Sequence, residues 1–306
     1  MTLTNVLIRS SPISNVKQHW KKTPRKPVRR RHLPSSKLLE HLPALCNIVR
    51  RIATEAGEVT LEHFEDSGYQ GVQTKGDGSP VTEADRAAEN VIKAGLSSVL
   101  SDIPMIGEES FAAGDIPSLS ESEYFWMVDP LDGTKEFISG SGDYTVNIAL
   151  IRNKTPVLGV VYAPVKGEMF YGCEDGGAFR YMEDSDREKP IQVRTPPAKG
   201  LTIVASRSHG DADKMDKFLQ DFKVEKLVKR GSSLKICAVA AGKADIYPRF
   251  GPTCEWDTAA GDAVLRAAGG IMTYVDGSPM TYGHADRKFL NPEFIAWSEQ
   301  FLEEME

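Results

Sequence analysis

The nine residues Trp126-Met127-Val128-Asp129-Pro130-Leu131-Asp132-Gly133-Thr134 decide how this chain is read. They follow Tyr124 and Phe125, so an aromatic and aliphatic run typical of a strand ends on Asp129. Pro130 lacks the N–H that a ladder needs, and the chain is expected to leave the sheet there. Asp129 and Asp132 then crowd together at a strand end, and Gly133 permits a tight turn. Two carboxylates so close repel each other unless a cation neutralises them. Mg²⁺ binds through a few carboxylates together with a substrate phosphate. If a helix starts at Gly133 and Thr134, its backbone N–H groups would cradle that phosphate, with the Thr134 hydroxyl beside them. Taken alone, the motif also reads as a surface Asx turn.

Three further segments supply acids of the same kind. Met105-Ile106-Gly107-Glu108-Glu109-Ser110 sets two carboxylates at the end of a short apolar strand. Trp256-Asp257-Thr258-Ala259-Ala260-Gly261 sets one at a helix start, with small residues behind it that allow close approach. Val81-Thr82-Glu83-Ala84-Asp85 opens another helix, with Asp85 one turn in. Asp257 reads equally as an N-cap, and Asp85 as a solvated helix-start acid. Other phosphate chemistries fail on spacing. Pro130 breaks the D-x-D-G-T pattern of aspartyl-phosphate enzymes, Cys173 and Arg180 stand one residue too far apart for a cysteine phosphatase loop, and no G-x-x-x-x-G-K-[ST] occurs.

Leu38, Leu42, Leu45, Val49, Ile52, Ala56, Val59 and Phe64 recur at helical spacing. A second helix runs from the Thr82 cap through Leu96. Strands are predicted over 124–129, 144–152, 157–163 and 168–172. A softer, charged stretch at 181–190 marks a seam. Beyond it come a strand at 201–205, helices near 213–221 and 233–242, a strand at 244–249, a helix at 257–268 and a strand at 271–275. Helices and sheets alternate in blocks, which predicts layered α/β or α+β packing.

The formal net charge is −6 over 306 residues, but it is uneven. Residues 1–39 hold ten Lys or Arg and no Asp or Glu, so the remainder is more acidic than the total. Such a body suits a protein that holds cations and argues against broad nucleic-acid binding. The four cysteines form no C-x-x-C pair, and no run of 18 apolar residues predicts a membrane span. Residues 1–37 cannot bury themselves and are expected to form a disordered basic extension ahead of a domain at 38–306, with sub-halves of about 38–185 and 191–306. The tail reads as an extension of little function, an organelle-targeting peptide or a polyanion-binding arm.

Taken in order, G-E-E-S at 107–110, W-M-V-D-P-L-D-G-T at 126–134 and W-D-T-A-A-G at 256–261 resemble the inositol monophosphatase superfamily. Within it the chain looks most like the bacterial 3′(2′),5′-bisphosphate nucleotidases of the CysQ type. L-D-G-T-K-E-F at 131–137, Y-T-V-N-I-A at 144–149, S-R-S-H at 206–209, G-S-S-L-K at 231–235 and Y-P-R-F-G-P at 247–252 carry that likeness. The resemblance implies an αβαβα sandwich of the inositol monophosphatase and fructose-1,6-bisphosphatase type. It implies two or three Mg²⁺ ions, inhibition by Li⁺, and hydrolysis of 3′-phosphoadenosine 5′-phosphate to AMP and phosphate, linked to sulfate assimilation. Glu108, Asp129 and the Leu131 carbonyl would hold one ion; Asp129, Asp132 and Asp257 a second. Glu108 and the Thr134–Asp85 pair would act as the base, and the Gly133 and Thr134 amides would grip the phosphate. His209, Ser232, Lys235 and Arg249 would bind the nucleotide. A cytoplasmic monomer or homodimer is implied, with a small-molecule nucleotide substrate and no nucleic-acid partner. The competing readings are an inositol or broad sugar phosphatase and, in another class, a non-enzymatic nucleotide or RNA binder that uses the tail.

Overall fold

Two helices open the described chain, α1 (Ser35–Leu39) and α2 (Leu42–His63). The sequence predicts one helix from Leu38; the structure breaks it at His41, whose Nδ1 accepts from the Ala44 amide at 3.2 Å and caps α2. The computed structural model describes residues 35–69, 71–75, 80–206 and 211–298. Helical order thus reaches back to Ser35, and the expectation for residues 1–34 lies outside the described residues. A two-residue pairing of β1 (Gln73–Thr74) with β2 (Pro80–Val81) leads to α3 (Glu83–Ser97).

Next come β3 (Met105–Gly107), α4 (Glu108–Ala112), β4 (Tyr124–Asp132), α5 (Thr134–Ile138), β5 (Thr145–Arg152), β6 (Thr155–Ala163), β7 (Glu168–Cys173), β8 (Gly177–Met182) and β9 (Arg187–Ile191). Among the described residues these strands form a seven-stranded sheet in sequence order, antiparallel apart from the parallel pair β3–β4. The charged stretch read as a seam forms most of an outer hairpin instead. In β9 only Ile191 is partly buried, and an edge strand with charged side chains and Pro190 resists pairing with another chain.

The second half adds β10 (Leu201–Ser206), α6 (Ala212–Leu219), β11 (Val224–Arg230), α7 (Leu234–Ala240), β12 (Ile246–Arg249), α8 (Ala259–Ala267), β13 (Gly270–Tyr274) and β14 (Phe294–Ser298). Its five strands run in the order β11-β10-β12-β14-β13. Sequence reading missed β11, whose Lys226, Lys229 and Arg230 hide its pattern, and β14.

Alternation along β4 sorts the layers. Trp126 and Val128 face α2 and α3, packing with Leu45, Val49, Ile92 and Leu96. Phe125 and Met127 face the other way, onto α7, α8 and the second sheet through Ile236, Val264 and Phe294. Ile203, Ile246 and Ile295 on the outer face of the second sheet pack against Phe218 and Leu219 of α6. The order is therefore helix, sheet, helix, sheet, helix, as the resemblance implied. Gly159 on β6 is what lets α8 lie this close: a Cβ there would fall 2.2 Å from the Ala260 carbonyl oxygen. Among the described residues no helix is long and apolar enough to cross a membrane.

Candidate active site

The end of β4 sets the first two acids. The strand pairs with β5 as far as Asp129 opposite Asn147, slips, and rejoins with Asp132 opposite Thr145. The chain therefore does not leave the sheet at Pro130. A bulge takes up the proline, whose missing N–H costs no ladder bond there. The Leu131 amide turns back to donate to Asp129 Oδ1 at 2.9 Å. Gly133, at φ +100°, adopts a left-handed conformation and starts α5 with Thr134 behind it.

The other acids converge from separate elements. Glu89 of α3 is buried and accepts from the Glu109 amide at 2.8 Å and the Ser110 amide at 2.7 Å. It thereby fixes the start of α4, where Glu108 stands. Asp257 ends the 3₁₀ turn Glu255–Asp257 ahead of α8, and its Oδ2 accepts from the Cys254 amide at 2.9 Å. Asp85 accepts from the Thr82 amide and hydroxyl through Oδ2, while its Oδ1 stands 3.4 Å from the Thr134 hydroxyl. Asp85 is thus both helix cap and Thr134 partner.

Electrostatics in this cluster are unfavourable for carboxylates without added cations. Burial pushes the Asp129 carboxyl well above its ordinary range, and the charges of Glu108, Asp132 and Asp257 push it further. Asp257 is raised well above its usual range by burial, then by Asp132 and Glu108. Glu108 is raised by burial although Lys75 opposes the shift. Lys75 lies 2.6 Å from both Glu108 and Glu109; burial works against its charge, but these two acids outweigh it and raise its pKa.

Among the described residues no three His, Cys, Asp or Glu side chains already form a ready-made ligand group. Each acid leans on a protein donor instead, Glu108 on Lys75, Asp132 on Ser233 and Asp257 on Cys254. The donor set nevertheless fits a hard divalent cation. Four carboxylates face one buried region, and Asp129, only 1% exposed, is opposed by like charge from three of them.

The site also carries cations, which act directly on its acids. Lys235 and Arg249 are both buried. Lys235 Nζ donates to the Ser232 carbonyl at 2.6 Å and lies 5.5 Å from the Tyr247 ring centroid. Burial pushes its pKa down to about 8, with Asp132 resisting and Arg249 assisting. Arg249 donates to the carbonyls of Gly251 at 3.2 Å and Pro252 at 2.8 Å. Ser232 takes φ +44°, and among the described residues its buried hydroxyl has no partner.

Acids and cations line one pocket of about 320 Å³. It is lined by ten of the twelve residues that the sequence singled out, from Glu108, Asp129, Leu131, Asp132, Gly133 and Thr134 to Ser232, Lys235, Arg249 and Asp257. Asp85 stands behind Thr134 rather than on the wall. His209 lies outside the described residues. Sequence reading missed Lys75, which no periodicity marks. It also gave no role to Ser233 and Asn147, although both sit inside quoted motifs.

Comparison with known proteins places this geometry. Residues 42–303 match the inositol monophosphatase family. The 3′(2′),5′-bisphosphate nucleotidase CysQ of Escherichia coli K12 is 44% identical over 246 residues, 80% of this chain and 96% of that one. The crystal structure of CysQ from Bacteroides thetaiotaomicron aligns with TM-score 0.70 at 35% identity, covering 85% of this chain and 99% of that one. Inositol monophosphatase from Anabaena aligns with TM-score 0.65 at 26% identity, covering 84% and 91%. With its layered fold, its carboxylate cluster and these relatives, the chain belongs to the inositol monophosphatase family.

Proposed function

We propose that this protein is a magnesium-dependent 3′(2′),5′-bisphosphate nucleotidase that hydrolyses 3′-phosphoadenosine 5′-phosphate to AMP and phosphate. The observation that carries the reading is a pocket with two kinds of charged lining: a carboxylate cluster at Asp129 and the cations Lys235 and Arg249. A substrate with two phosphates has a use for both, whereas an inositol monophosphate needs only the first. The likeness to the 3′(2′),5′-bisphosphate nucleotidase CysQ of Escherichia coli supports the same choice.

Glu108, Asp129, the Leu131 carbonyl, Asp132 and Asp257 would hold two or three Mg²⁺ ions. When bound, these ions neutralise the clustered acids, draw charge from the phosphate and acidify water. The chain's own residues do the rest. Glu108 accepts the proton of the attacking water, with Thr134 and Asp85 as a second relay into the helix cap. The Gly133 and Thr134 amides donate to the oxygens of the departing phosphate. Ser232, Lys235 and Arg249 hold the other phosphate and so orient the ester for in-line attack. His209 is assigned to the nucleotide. A cytoplasmic role in clearing the bisphosphate formed during sulfate assimilation follows, and Li⁺ is expected to inhibit.

Phosphate release from 3′-phosphoadenosine 5′-phosphate and from inositol 1-phosphate, each with Mg²⁺ or with chelator, tests the reading. The bisphosphate should be preferred in kcat/KM by more than about tenfold, or roughly 1.4 kcal/mol. A smaller preference assigns the chain to the inositol or sugar phosphatases instead, and turnover in chelator removes the metal requirement.

A further inference from the structure

The turn that brings Lys235 into the pocket also grips the carboxylate cluster. Ser233 stands between the buried Ser232 and α7, and its backbone amide donates to Asp132 Oδ2 at 2.6 Å. Its hydroxyl lies 2.7 Å from the same Oδ2 and 2.6 Å from the Asp257 carbonyl. From β5, Asn147 Nδ2 donates to that hydroxyl oxygen at 2.9 Å. A hydroxyl has one proton. With Asn147 supplying a donor, the Ser233 proton is directed to Asp132 or to the Asp257 carbonyl. One side chain therefore ties together two strands of the first sheet, the turn ahead of α7 and the turn ahead of α8. Oδ2 of Asp132 is taken up by this grip, and among the described residues Oδ1 accepts from no donor.

We infer that Ser233 is a positioning residue, which turns Asp132 so that Oδ1 faces the cation and makes that orientation depend on the turn that carries Ser232 and Lys235. The inference rests on Asp132 as a cation ligand, part of the function proposed above. It goes further by assigning a link between the cationic and the carboxylate lining of the pocket. A phosphate held at Ser232 and Lys235 fixes the turn, the turn fixes Ser233, and Ser233 fixes Asp132. Binding at the cations is thereby converted into order at the carboxylates.

The test uses the full chain with manganese(II) as the probe. Ser233→Ala keeps the amide contact and loses the hydroxyl, and is smaller, so it does not crowd the turn. Manganese binding to the substrate-free protein, followed by calorimetry, should weaken by about 10-fold or more, in line with the usual cost of losing a partner behind a metal ligand. On the bisphosphate, kcat should fall about as much while KM stays within about threefold, and the melting temperature should hold within a few degrees. Ser233→Thr, which restores the hydroxyl, should recover manganese binding. Asn147→Ala, acting from the opposite side, should shift binding the same way by less. Unchanged manganese affinity and unchanged kcat in Ser233→Ala, with Asp132→Asn weakening both, would overturn the inference and leave the metal-site reading standing. Equal manganese binding by the wild type and Asp132→Asn would overturn both.

Discussion

Lys235 has its charge held at the edge of availability. Buried beside Arg249 and over the Tyr247 ring, it has a pKa pushed down to about 8. Above that pH the free enzyme loses a cation from the pocket. On the bisphosphate, kcat/KM should therefore decline above about pH 8, with the loss carried by KM. In Lys235→Met the decline should vanish, KM should already be high at pH 7, and hydrolysis of a monophosphate should change little. Initial rates across pH 6.5–9.5 check it; a wild-type profile that stays flat above pH 8 would remove Lys235 from phosphate binding. Lys75 shows the limit of sequence reading at this scale. It is one lysine in a polar stretch, and only the fold reveals that it meets both Glu108 and Glu109 at 2.6 Å.

Among the elements, β4 carries Asp129, Leu131 and Asp132, and α8 starts just after Asp257. The strand could be read from its aromatic run and its acids because burial and chemistry are both written into residues 124–132. Its bulge could not. Pro130 signals that the ladder fails, but whether the chain departs or rejoins depends on Thr145 opposite Asp132, far along the sequence. The edge strands β9 and β11 were illegible for another reason: edge strands carry charge, and charge erases the alternation that marks a strand. The placement of α8 rests on Gly159. Gly159→Val would drive side-chain carbons into the Ala260 carbonyl and the Ala263 methyl, 2.2 and 2.8 Å from the first added atom. Overpacking of this kind costs about 1–3 kcal/mol. Because α8 continues directly from Asp257, turnover should fall by more than the loss of folded protein explains. Denaturant melts paired with rates per folded molecule measure this; a destabilised variant with normal turnover would separate α8 from the site.

For the molecule as a whole, the acid cluster sets stability against function. Asp129 and Asp257 are raised well above their ordinary range by burial and by their neighbours. The folded chain therefore binds more protons than the unfolded chain at intermediate pH, so stability without cations falls as pH rises. The loss begins near the ordinary carboxylate value of about 4 and continues up through the raised values. In chelator, the melting temperature should drop between about pH 5 and pH 8. Added Mg²⁺ should stabilise the chain more at pH 8 than at pH 5, because cations bind the ionised cluster. A scanning melt at both pH values, with and without Mg²⁺, reads this directly, and a Mg²⁺ shift equal at both would contradict the cluster's role.

Layered packing was legible in the alternating blocks of helix and sheet, and the family resemblance implied its five layers, whereas the grip of Ser233 on Asp132, 101 positions apart in sequence, needs the packed molecule to be seen.

The seven strands of the first sheet lie consecutively between Met105 and Ile191, and the nine-residue link 192–200 separates them from the second sheet. During synthesis that first sheet can assemble with α2 and α3 before the residues from Gly231 to Asp257 leave the ribosome. The nascent chain would then hold Glu108, Asp129 and Asp132 without Ser233, Lys235 or Asp257. Hydrolysis waits for the last third of the polypeptide.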